Sequence, residues 1–174
     1  MLMHNKIKQC LLDSINPGDA LYVLKVLMNE DRKISDKIFH ILMERLNELD
    51  SDEITMDVYY KLNQLQVEEL WNRSGKTRYG YVEPSEEAWV MFEEVIEPFV
   101  DEMKKYQKLG MPLLAKKYCI GIIKGIQKYE HESESEFKNW ATDVPVEYAE
   151  RILDEWKEGN PDSTDIAEVE GAVW

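Results

Sequence analysis

Trp89, Phe92, Ile96, Phe99, Met103 and Tyr106 follow one another at steps of three and four residues. That spacing keeps them on one face of a helix for about five turns. Similar groupings recur along the chain. Ile7, Leu11, Leu12 and Ile15 mark a first helix over 2–15. Leu21, Leu24, Leu27 and Met28 mark a second, opened by Asn16 as N-cap with Pro17 at the first helical position, or by Asp19 as the alternative cap, and running to about Asn29. After a polar connection, Glu30 to Lys33, a third helix starts near Ser35, with Ile38, Ile41, Leu42, Leu46 and Leu49 as its inner stripe.

Asp50-Ser51-Asp52-Glu53 interrupts the pattern, and Val58, Leu62, Leu65 and Leu70 resume it over 55–72. Ile54, Thr55, Val58, Tyr59 and Tyr60 have strand propensity, but the straight-chain residues from Lys61 to Trp71 favour a helix. Arg73 to Val82 reads as the one long loop. The fifth helix then opens with Ser85 as N-cap and Glu86 and Glu87 at the positive end of its dipole. Pro98 should kink it without ending it, because the apolar stripe stays in phase on both sides.

A sixth helix begins at Met111-Pro112, with Ala115, Cys119, Ile122, Ile126 and Tyr129 on one face. Gly121 and Gly125 lie one turn apart beside that face. Each costs ~1 kcal/mol in a helix interior, so the pair suggests another helix packed close to the backbone, with a ligand approaching the same bare surface as the functional alternative. Ser133 and Glu136 fit a capping box ahead of a short helix through Trp140. Asp143-Val144-Pro145 opens a last helix, with Ala149, Ile152, Leu153 and Trp156 inward and Gly159 as its stop. The pattern predicts an all-α fold of antiparallel helix pairs, about seven or eight helices, arranged as a compact bundle or a short right-handed solenoid. Residues 1–158 form one helical domain. Residues 159–174 form an acidic tail, disordered or docked through Ile166, Val169, Val173 and Trp174.

Residues 96–128, with Tyr106, Leu109-Gly110, Ala115 and Tyr118, resemble one tetratricopeptide-type helix pair. Glu102 and Met103 stand where that repeat has leucine and glycine, and no second copy follows in register. The resemblance implies stacking of helix pairs and no particular activity.

Composition narrows the function classes. The 174 residues suit one domain that buries a core without metal or disulfide. A net charge of −14 disfavours nucleic acid and anionic membrane as partners. No apolar run approaches the ~18 residues of a membrane span. Lys6, Lys8 and Gln9 break up the N-terminal apolar segment, unlike a signal peptide. The two cysteines, Cys10 and Cys119, sit at apolar helical positions and read as reduced core residues of a cytoplasmic protein.

Candidate chemistry is sparse. Ser74-Gly75-Lys76-Thr77 resembles the end of a phosphate loop, but Leu70 stands where its first glycine belongs. Glu130 to Glu136 gathers four carboxylates around His131 without the Glu-x-x-His spacing of helical metal sites. His40 and Glu44 read as a surface pair. With His4, His40 and His131 the only histidines, acid–base catalysis has few candidates. No metal or cofactor is expected. The segment with the best claim to a ligand is the basic, aromatic loop: Trp71, Arg73, Lys76, Arg78, Tyr79, Tyr81 and Trp89. Guanidinium groups and rings of this kind hold carboxylates, phosphates and planar molecules. Three readings follow. One is a non-catalytic interaction or scaffold protein that binds another protein or itself. The second is a small-molecule or anion-binding protein, enzymes included, that uses residues 71–89. The third, nucleic-acid mimicry by the acidic surface, lacks a regular phosphate-like spacing of charges.

Overall fold

The computed structural model describes residues 10–11, 13–78 and 80–173. The first predicted helix falls largely outside them. Among the described residues the fold is all-α, with one small hairpin. The chain divides into two compact units, residues 1–48 and 49–174.

The first unit holds α1 (Pro17–Glu30) and α2 (Arg32–Asn47). Asn16 caps α1, its side-chain oxygen accepting from the Asp19 amide at 2.9 Å. The expected four-residue connection is in fact a single extended residue, Asp31. It ends α1 and caps α2 by accepting from the Lys33 amide at 2.8 Å. An aspartate that serves both helices removes the need for a linker.

The second unit begins at α3 (Ser51–Leu62). The helical pattern does break here, at 48–50, but Ser51 to Glu53 already belong to the next helix, which Asp50 caps. Asp50 accepts from the Asp52 amide, and Asp52 and Glu53 occupy the positive first turn. The single helix expected over 55–72 is two, because the chain breaks after Leu62 and restarts as α4 (Val67–Arg73). The Ser133 hydroxyl donates to the Asn63 side chain at this break. Most of the expected loop is a hairpin, β1 (Gly75–Thr77) against β2 (Gly80–Val82), with Lys76 opposite Tyr81. Gly75 (φ 89°) and Gly80 (φ 140°) supply backbone angles that side chains disfavour.

The fifth predicted helix is α5 (Pro84–Lys108). It starts at Pro84 after Glu83, one residue before the expected Ser85 cap, and continues through Pro98 on its exposed side. A proline at the first position loses no bond, since that amide has no helical acceptor. Phe92, Ile96, Met103 and Tyr106 of the opening stripe are buried; Trp89 and Phe99 flank it half-buried.

α6 (Pro112–Glu132) is the central element of this unit. It packs against α3, α5, α7 (Val144–Lys157) and α8 (Ser163–Val173). Ten of its residues, Gly121 and Gly125 among them, are buried. The close approach implied by the two glycines is made by α3. A Cβ on Gly121 would meet Ile54 Cβ at 2.6 Å and the Ser51 carbonyl at 2.8 Å. A helix enclosed by four others belongs to a closed bundle.

The expected capping box at Ser133 does not form. Ser135 caps a 3-10 helix over Glu136–Trp140, accepting from the Phe137 amide, while Ser133 turns to Asn63 and the Ser135 amide. Past α7 the left-handed residue is Asn160 (φ 52°), not Gly159. At Gly159 a Cβ would lie 2.6 Å from Gln107 Nε2, the end of a flexible side chain that can move aside. Residues 163–173 of the expected tail form α8, capped by Asp162 through the Thr164 and Asp165 amides. Val169 and Val173 are buried.

Candidate functional site

The residues nominated from sequence go to three different neighbours. Trp71, on α4, is half exposed. Its ring lies edge-on to Trp140 of the 3-10 helix, centroids 4.7 Å apart. Trp89 turns towards α7, its ring 5.1 Å from that of Tyr148. Arg73 turns towards acids of α5. Its two terminal nitrogens donate to both oxygens of Glu94 at 2.7 and 2.8 Å, and Nε pairs with Glu87 at 2.6 Å. Glu69, one turn earlier on α4, completes the set at 3.8 Å.

This fork-on-fork geometry raises the guanidinium pKa, chiefly through the bond to Glu94, and holds the Glu94 carboxyl below the usual carboxylate range. Arg73 therefore ties α4 to α5. Lys76, Arg78 and Tyr81 of the hairpin region are exposed. Tyr79 lies outside the described residues. An open cleft of about 350 Å³ lies beside the α3–α4 break, lined by Glu68, Glu134 and Glu136 along with Asn63 and Gln66. Three carboxylates make it a poor place for an anion.

Nor does the acidic run 130–136 gather into a centre. Lys138 Nζ donates to the Glu130 and Ser133 carbonyls. Among the described residues, no three His, Cys, Asp or Glu side chains are grouped to hold a metal ion. The Cys119 thiol is fully buried, and burial pushes its pKa up to about 12, which keeps it an un-ionised core group.

The more unusual surface is in the first unit. No described residue between 10 and 48 is buried. Leu21, Leu24, Ile41 and Leu42, read from sequence as inward, are 52%, 42%, 53% and 52% exposed; Phe39 is 61% exposed. The periodicity is genuine, but the two described helices do not between them enclose a core. At 100° per residue, Val26, Val23, Leu27, Ala20, Leu24, Met28 and Leu21 cover more than half of the circumference of α1. Ile41, Ile34, Ile38, Leu42, Leu46, Phe39 and Met43 do the same on α2. Each helix covers only part of the other's arc: Ala20, Val26, Leu27, Ile38, Met43 and Leu46 are half-buried. Helices apolar over so wide an arc normally lie inside a larger assembly.

Charge sets this unit apart as well. Residues 1–48 hold seven acids and seven bases. The other 28 acids and 14 bases lie in 49–174, which therefore carries the whole net charge of −14. That division is visible in the sequence, and it separates a neutral apolar unit from an acidic one.

The chain matches no family model, no curated protein and no solved structure.

Proposed function

We propose that the chain is a cytoplasmic, non-catalytic interaction protein that binds another polypeptide through the apolar surface of α1 and α2. Residues 49–174 act as its rigid acidic body. The observation that carries this reading is the lack of any buried described residue in the first unit, despite its many large apolar side chains. Fully covering one such side chain is worth ~1.5–3 kcal/mol, so an uncovered set of this size is a strong drive to associate. The cytoplasmic assignment is supported by two free cysteines, one of them exposed, and by reduced thiols being the rule in that compartment. No helix among the described residues is long and apolar enough to cross a membrane.

A photo-cross-linking side chain at position 39, in cells that express the full chain, tests the reading. A discrete adduct is expected from position 39, absent from a control probe at exposed Glu158 and lost when Leu21→Asp and Leu42→Asp are introduced together. No adduct above the control, or one indifferent to those substitutions, would count against an apolar docking surface on this pair.

A further inference from the structure

We infer that the polypeptide covering α1 and α2 is a second copy of this chain, so that two helix pairs close into a four-helix bundle around a two-fold axis. This rests on the interaction reading above and names its partner.

Shape is the first argument. Each helix of the pair has an apolar arc wide enough for two neighbours, and among the described residues the two pack on each other. A layer of two such helices is half of a four-helix bundle. A second identical layer supplies the missing half with the same side chains, as a two-fold interface requires.

Charge is the second. Two acidic chains at −14 repel each other, so self-contact is favoured where neither copy carries net charge. Residues 1–48, with seven acids and seven bases, are such a place. A basic partner would be drawn to the acidic body and not to the neutral pair. On α2, Arg45 pairs with Glu48 at 3.2 Å, and His40 Nε2 lies 3.2 Å from a Glu44 oxygen.

Area is the third. Leu21, Val23, Leu24, Met28, Ile34, Phe39, Ile41 and Leu42 are between about a third and two-thirds exposed. Together they expose on the order of 700 Å² per copy, spread around the two apolar arcs, against the ~800 Å² that a standard interface takes from each partner.

Sedimentation equilibrium of the purified full chain is the test. All five tryptophans lie in 49–174, so their fluorescence on heating reports separately whether the body stays folded. The expected mass is twice 20.5 kDa. Association should hold or tighten from about 50 to about 500 mM salt, because salt screens the repelling bodies. Leu21→Asp and Leu42→Asp together should weaken it by ~100-fold or more, by placing carboxylates in the apolar seam, with the tryptophan melting transition unmoved.

A monomer at about 100 µM overturns the inference. So does a dimer that survives both substitutions, or one that dissociates as salt is added. If the purified chain is monomeric while position 39 cross-links a different protein in cells, self-association is wrong and the interaction reading stands. If neither occurs, both fall.

Discussion

Gly125 and Val58 approach so closely that a Cβ on the glycine would lie 2.6 Å from the valine Cβ, with the Thr55 carbonyl 2.8 Å away. Gly121 repeats the arrangement one turn earlier against Ile54 and Ser51. The two glycines of α6 form a flat strip, and the backbone of α3 lies on it.

Alanine at either glycine tests that contact. On an open helix the change would stabilise by ~1 kcal/mol through propensity. Here the obstacles are a Cβ and a carbonyl, which cannot rotate away, and overpacking of this kind costs ~1–3 kcal/mol. We expect Gly125→Ala to lower stability in urea by about 2 kcal/mol, because the steric clash outweighs the gain in helix propensity. A neutral or stabilising result would show that α3 stands further off than described.

These glycines also show what the sequence can and cannot carry. Their spacing announces a close neighbour, since nothing local excuses two glycines in a buried helix. It does not say which helix, because α3 lies some 65 residues earlier and is found only by folding. Periodicity has a similar limit at Ile41 and Leu42. It says that they share a face with Ile38, and it is silent on whether anything covers that face. Composition of the two units would have warned of the difference, as their charges are so unequal.

Boundaries fail for a different reason. Asp50 to Glu53 is polar enough for a linker, yet an aspartate followed by acids is equally a helix start, and only the packing of Ile54 and Val58 decides. Residues 63–66 contain no glycine or proline, so the break there has no local mark. Its distinguishing contact, Ser133 to Asn63, spans 70 residues. Arg73 belongs to the same class. Its basic character is plain, but its engagement by Glu87 and Glu94 depends on where α5 runs.

Arg73→Met tests that engagement through pH. Glu94 has its carboxyl pKa lowered from the ordinary 4.5, first by the hydrogen bond from Arg73. A carboxylate with a depressed native pKa adds stability that is complete above the unfolded value and disappears as pH falls through the folded one. Wild type should therefore exceed Arg73→Met by about 1–2 kcal/mol near pH 7, a modest figure because the site is partly exposed. The gap should shrink as pH falls below 4.5 and close once pH has passed the lowered folded-state value of Glu94. Urea midpoints at several pH values give the comparison. A gap that is constant across the range would mean that Arg73 contributes through packing of its stem and not through the ion pairs.

The docking of α8 is the remaining contact to challenge, because residues 163–173 could be taken for a solvated acidic tail. Val169 is fully buried and Val173 nearly so, and the Gln127 side chain donates to the Val173 carbonyl. Lys116 Nζ lies 2.8 Å from both Asp165 and Glu168, and Lys157 pairs with Glu170 at 2.8 Å. The Lys116 bonds raise its pKa, first through Asp165 and then Glu168, so it stays charged throughout the physiological range. Val169→Asp places a carboxylate at a fully buried apolar position, at a cost of ~3 kcal/mol or release of the helix, whichever is smaller. Release is the expected outcome, because α8 is short and its ion pairs are partly solvated. Hydrogen exchange read by mass spectrometry should show the amides of 163–173 protected in wild type and open in the variant, with those of α6 nearly unchanged. Fast exchange of 163–173 in the wild-type chain itself would mean that this segment is not held by the bundle.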